Sequence, residues 1–156
     1  KAGEVWRGRT LLDWSIAALD PLCRTVFVSG HTHSDCESVA DRPRSGLGPL
    51  GGLAGAMATA RDRGYARILS LPCDTPLLPD GLLASLAAQH SAFVTDCPVI
   101  GIWPTADADR LTAWLAEDRP RAVRAWTDAI GATPVDLGVP IVNINHIGDL
   151  TRLDGG

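Results

Sequence analysis

Short β-rich runs alternate with helix-length amphipathic runs along most of this chain, and that alternation restricts the folds open to it. Thr25-Val26-Phe27-Val28-Ser29, Ile68-Leu69-Ser70-Leu71, Ala92-Phe93-Val94-Thr95 and Val99-Ile100-Gly101-Ile102-Trp103 read as strands. Residues 133–137 and 141–143 read as shorter strands. Between them, Thr10 is placed to cap a helix whose apolar stripe is Leu11, Leu12, Ile16 and Leu19, ending near Pro21. Residues 50–63 read as a helix that starts in a Gly-rich turn and stops at Gly64. Helices are predicted over residues 80–89 with Asp80 as cap, over 107–117 with Leu111, Trp114 and Leu115 inward, and over 121–130 up to Gly131. Residues 149–153 read as a terminal helical turn, and the polar stretch 31–45 as a loop. Strands alternating with helices predict an α/β fold with a largely parallel sheet. The first predicted element is a helix, whereas sheets of this kind usually open with a strand.

The chain has 156 residues, enough for one domain with a sizeable core, since 46% of them are apolar. A net charge of −4 leaves no basic footprint for nucleic acid or an anionic membrane. No apolar run is long enough to span a bilayer, and no signal peptide pattern is visible. The scattered cysteines Cys23, Cys36, Cys73 and Cys97 form no CxxC pair, which suits reduced, cytoplasmic thiols better than a disulfide framework.

The run Arg67-Ile68-Leu69-Ser70-Leu71-Pro72-Cys73-Asp74-Thr75-Pro76 carries the strongest chemical signal. A short apolar strand delivers a carboxylate, held between two prolines, to the rim of the sheet. Ligands of open α/β sheets bind at the carboxyl ends of strands. An aspartate there often only caps a turn. Yet Mg²⁺ commonly uses one or two protein carboxylates plus substrate phosphates, so a rigid Asp74 suffices for a nucleotide-bridged metal.

Other motifs are weaker. Gly46-Leu47-Gly48-Pro49-Leu50-Gly51 matches G-x-G-x-x-G, but a dinucleotide site needs a strand just before it, and Asp41-Arg42-Pro43-Arg44-Ser45 is not one. Pro49 also removes an amide where a pyrophosphate wants donors. What remains is a packing turn, or a turn that shapes a nucleobase or ribose pocket. His31-x-His33-x-x-Cys36 lacks a second ligand pair for structural zinc. Arg119, Arg121 and Arg124 read either as a solvated helix start or as a phosphate clamp. Asn143 and Asn145 read either as turn caps or as ligand contacts. There is no GxSxG, HExxH or Walker A motif, and no covalent nucleophile with a visible partner. Cys73 is such a candidate by position only.

Several of these pieces occur in one order: Gly48-Pro49-Leu50-Gly51-Gly52-Leu53, Leu71-Pro72-Cys73-Asp74-Thr75-Pro76, Cys97-Pro98-Val99-Ile100-Gly101-Ile102-Trp103, Arg121-Ala122-Val123, and Asn143-Ile144-Asn145 with Asp149-Leu150. The series resembles the molybdenum cofactor guanylyltransferases (the MobA family) over nearly the whole chain. Lys1 resembles the lysine that closes that family's N-terminal phosphate-binding motif, continued by Gly8-Arg9-Thr10-Leu11-Leu12. The resemblance implies a nucleotide-diphospho-sugar-transferase-like, Rossmann-related fold: three layers, a mostly parallel sheet, and helices on both faces. It implies a reaction in which GTP and molybdopterin-bound molybdenum give the guanine dinucleotide cofactor and pyrophosphate.

Carried over by position, Asp74 would hold Mg²⁺ on the GTP phosphates and Lys1 would reach those phosphates. Asp41 would contact the nucleotide, with Gly48, Pro49 and Leu50 in the adjoining turn. Ser29 stands where some relatives carry a nucleotide-contacting Asn. Asn143, Asn145 and Arg121 would face the molybdopterin acceptor. Cofactor-delivery or target-enzyme proteins are the implied partners, with no nucleic acid and no membrane. Residues 1–156 then read as one nucleotidyltransferase domain. The family's N-terminal strand and Gly-rich phosphate loop would precede Lys1, and a longer turn would lie between Ala92 and Pro98. Without that strand the sheet would gain an unpaired edge. The enzyme reading takes those segments to belong to the protein. A molybdopterin cytidylyltransferase, another small-molecule nucleotidyltransferase and a non-catalytic nucleotide-binding domain are the alternatives.

Overall fold

The computed structural model describes residues 2–117 and 119–144. A tight hairpin comes first: β1 (Val5–Trp6) pairs antiparallel with β2 (Arg9–Thr10). Its turn residues Arg7 and Gly8 both have positive φ, 48° and 78°, the sign that a two-residue hairpin turn requires. This corrects the expectation of a helix as the first element. Thr10 then starts α1 (Leu11–Leu19) through a reciprocal capping box. Its hydroxyl oxygen accepts from the Asp13 amide at 3.1 Å, and the Asp13 carboxylate accepts from the Thr10 amide at 3.0 Å.

The remaining elements, β4 apart, follow the predicted order. They are β3 (Phe27–Ser29), β4 (Glu37–Val39), α2 (Pro49–Asp62), β5 (Arg67–Ser70), α3 (Leu82–Ala87), β6 (Ala92–Val94), β7 (Cys97–Pro104), α4 (Ala108–Ala116), α5 (Val123–Ile130) and β8 (Thr133–Val135). Four strands form one sheet in the order β5-β7-β6-β8, while β3 and β4 form a separate parallel pair. β7 runs antiparallel to both β5 and β6, and β6 is parallel to β8. Hence β5, β6 and β8 share one direction and β7 alone opposes them, so the sheet is mostly parallel as predicted.

Period-two alternation sends side chains from each strand into two cores. Phe93 and Trp103 enter one core with α2, α4 and α5, where Leu50, Met57, Leu111 and Trp126 are buried. Ala92, Val94, Ile100 and Ile102 enter the other, against Leu19 of α1 and Leu82, Leu83 and Leu86 of α3. Helices therefore cover both faces, which makes three layers. Leu111 and Leu115 point inward as expected, and half-buried Trp114 meets Trp126 edge-to-face at 5.8 Å. Gly131, at φ 64°, ends α5 in the left-handed conformation.

Three further expectations are corrected. The stretch read as a loop contains β4, whose side chains are exposed except for Val39. Asp80 does not cap α3; Gly81, with φ 74°, occupies that position. Residues 141–143 form no strand. The proposed terminal turn at 149–153 lies outside the described residues. Among the described residues, no helix is long and apolar enough to cross a membrane.

Candidate nucleotide site

β5 releases the chain into the turn that bears Asp74, and three parts of the fold hold that turn. The Pro72 carbonyl accepts from the Thr75 hydroxyl at 3.1 Å and from the Ser15 hydroxyl of α1 at 3.4 Å. The Asp74 carbonyl accepts from the Ile144 amide at 2.7 Å. Ile144 is fully buried in a small cluster with Trp6 and Leu11. Asp74 thus sits on a backbone fixed from α1, from its own turn and from the 141–144 segment. Burial, and secondarily the Asp74 charge, push the half-buried Cys97 thiol above its ordinary pKa. Among the described residues the cysteines form no disulfide with one another.

A second carboxylate comes from the end of β4. Register places Ser29 opposite Val39, so Asp41, two residues on, lies beside the end of β3. The Ser29 hydroxyl donates to Asp41 Oδ1 at 3.2 Å. α2 packs against this pair with a face bare of side chains. A Cβ on Gly51 would stand 3.2 Å from Asp41 Oδ2, and one on Gly55 would collide with the Ala40 carbonyl oxygen. The Gly51 carbonyl also accepts from the Arg42 amide at 3.1 Å.

Ser29, Asp41, Gly48, Pro49, Asp74 and Asn143 all line one cavity of about 820 Å³. Its apolar walls come from α1, β3, α2 and β5, through residues such as Leu12, Ile16, Val28, Leu53 and Ile68. Among the described strands, β3 pairs only with β4 and β5 only with β7. One edge of each is left open, and both strands line this cavity. The volume is ample for a nucleotide-sized ligand.

Not every predicted residue lies there. Leu50 is fully buried in the α2 core, so its side chain anchors the helix. Arg121 is exposed ahead of α5 and is not part of the lining. Arg124 donates to the Thr95 carbonyl at 2.8 Å instead of pointing to the cavity. His33 contacts Asp13 at 3.0 Å, and among the described residues no group of three His, Cys, Asp or Glu side chains could hold a metal. A cage of protein ligands is therefore not formed there. An oxygen donor such as Asp74, on the same cavity as Asn143, fits Mg²⁺ that takes its remaining ligands from phosphate and water. Lys1 and Asn145 lie outside the described residues. Sequence reasoning missed Ser15 and Gly52, whose roles depend on contacts between distant segments, and Thr75, which bonds within its own turn.

The family described as "MobA-like NTP transferase domain" matches residues 1–136. A molybdenum cofactor guanylyltransferase of Acidiphilium cryptum (strain JF-5) is 32% identical, over 100% of this chain and 86% of the relative. Two solved structures share the fold at lower identity. Molybdopterin-guanine dinucleotide biosynthesis protein A from Archaeoglobus fulgidus has a TM-score of 0.70 at 17% identity, covering 99% of this chain and 89% of that one. 2-C-methyl-D-erythritol 4-phosphate cytidylyltransferase from Thermus thermophilus has a TM-score of 0.71 at 18% identity, covering 99% and 92%.

Proposed function

The chain belongs to the MobA-like NTP transferase family, and from that premise we propose that it transfers the guanylyl group of GTP to molybdenum-bound molybdopterin, releasing pyrophosphate. The observation that carries this reading is the meeting of Asp41 and Asp74 on one cavity, Asp74 held through its carbonyl by the Ile144 amide and Asp41 through its carboxylate by the Ser29 hydroxyl. The name of the relative at 32% identity supports guanylyl as the transferred group. The likeness to a cytidylyltransferase is one of fold.

Asp74, on its fixed turn, would hold Mg²⁺ against the triphosphate. That ion, when bound, neutralises charge on the phosphates and on the departing pyrophosphate. Asp41 and the Gly48-Pro49 turn take the nucleoside end. A carboxylate accepts two hydrogen bonds side by side, which matches the adjacent N1–H and N2–H donors of guanine; cytosine offers only its N4 amine. By family position Asn143 and Asn145 would serve the acceptor, whose phosphate oxygen would attack the α-phosphorus as the bond to pyrophosphate breaks. By family position Lys1 would add positive charge at the phosphates. Positioning and charge neutralisation suffice for this chemistry, and no protein nucleophile is required.

Asp74→Asn tests the reading. With GTP, Mg²⁺ and molybdenum-loaded acceptor, the variant is expected to release pyrophosphate roughly 10²–10³-fold more slowly than the parent, with an unchanged circular dichroism spectrum. Full activity in the variant would remove Asp74 from the metal role. Activity without any divalent ion would remove the metal.

A further inference from the structure

Ser29 stands at the carboxyl end of β3 and is solvent-exposed, but α2 hems in its hydroxyl on one side. A Cβ on Gly52 of α2 would collide with Ser29 Oγ and would stand 3.1 Å from Ser29 Cβ. The helix backbone therefore presses directly on this side chain. The hydroxyl donates to Asp41 Oδ1 at 3.2 Å, while Gly51 closes on Asp41 Oδ2 from the same helix turn. One carboxylate oxygen is held by a donor and the other abuts a glycine, so the plane of the carboxylate is set. A carboxylate whose plane is fixed selects for a base edge with two N–H donors at matching spacing; one that rolls does not.

We propose that Ser29 is a positioning residue for base selection: it acts through Asp41, and Gly52 keeps its hydroxyl in the donating rotamer. The role is distinct from a direct contact between Ser29 and the nucleotide. It rests on the guanylyl reading above, because it takes the base to be guanine and Asp41 to be its reader.

The test compares GTP with ITP, which lacks the 2-amino donor, by displacement of a fluorescent GTP analogue from the whole protein. The parent is expected to favour GTP. Ser29→Ala should shrink the GTP-to-ITP preference about three- to tenfold, the worth of one hydrogen bond in a wet site. Ser29→Thr, which keeps the hydroxyl, should restore it. Gly52→Ala should reproduce the loss although it keeps Ser29, because the added Cβ drives Ser29 Oγ off its position beside Asp41. An unchanged preference in Ser29→Ala would overturn the proposal. So would equal weakening of GTP, ITP and CTP, which marks direct contact. If the parent itself binds GTP no better than ITP or CTP, the guanylyl reading fails, and the proposal with it.

Discussion

The Ile144 amide donates a 2.7 Å hydrogen bond to the Asp74 carbonyl, and Ile144 is itself sealed into the cluster of Trp6 and Leu11. The first hairpin, α1 and the segment before residue 145 are thereby tied to the turn that bears the proposed metal ligand. Truncation of this anchor should be felt in two ways. Ile144→Ala is expected to lower stability by about 2–4 kcal/mol in urea unfolding. It should also raise the Mg²⁺ concentration needed for half-maximal pyrophosphate release. Loss of stability with an unchanged Mg²⁺ requirement would mean that Asp74 does not depend on Ile144.

Gly55→Ala should destabilise even though alanine is the better helix former. The added Cβ would collide with the Ala40 carbonyl oxygen and stand 3.0 Å from its carbon, and neither backbone atom can swing away. Overpacking of this kind costs about 1–3 kcal/mol, more than the roughly 1 kcal/mol gained in helix propensity. Thermal unfolding checks the sign. A rise in melting temperature would show that α2 and the end of β4 shift apart easily.

Ser70 satisfies a buried indole. Trp103 is fully buried, and its Nε1–H donates to Ser70 Oγ at 2.7 Å, while that hydroxyl donates on to β7 carbonyls. Ser70→Ala strands the indole donor and is expected to cost about 1–3 kcal/mol in chemical denaturation. Equal stability would mean that water reaches Trp103.

The cap of α1 predicts an acid sensitivity. Hydrogen bonds, first from the Thr10 side chain and then from His33, hold the Asp13 carboxyl below its ordinary pKa. A depressed carboxylate pKa favours the fold at pH values above the ordinary carboxylate range. That contribution is lost as the pH falls through the folded-state value. The stability advantage of the parent over Asp13→Asn should therefore be present at neutral pH and fade on acidification below the ordinary carboxylate range. A gap independent of pH would contradict the ionised cap. At neutral pH, Thr10→Ala should cost about 1 kcal/mol.

The layered fold was legible because its strands are short runs of β-branched and aromatic residues and its helices carry periodic leucines, as in Leu82, Leu83 and Leu86. Thr10 announced its helix by residue type and position alone. β4 was not legible, because Glu37 and Ser38 are exposed at a sheet edge and only Val39 is buried. Ile141 and Val142 mimic a strand, but the ladder-like bond of that segment runs from Ile144 to the Asp74 turn. At α3, the left-handed freedom of Gly81 prevailed over the capping chemistry of Asp80. In the site, Asp74 could be found from its strand-end setting and Asp41 only through a family pattern. The hold of Gly52 on Ser29, and of Ser15 on Pro72, joins segments that no local periodicity connects.

The guanylyl reading is tested most directly by identifying the pterin product. The protein is incubated with Mg²⁺, molybdenum-bound molybdopterin and either GTP or CTP, and the pterin dinucleotides are separated and identified by mass spectrometry. The prediction is a guanine dinucleotide formed in step with pyrophosphate from GTP, and no product from CTP. A cytosine dinucleotide, or no dinucleotide with either nucleotide, would contradict it.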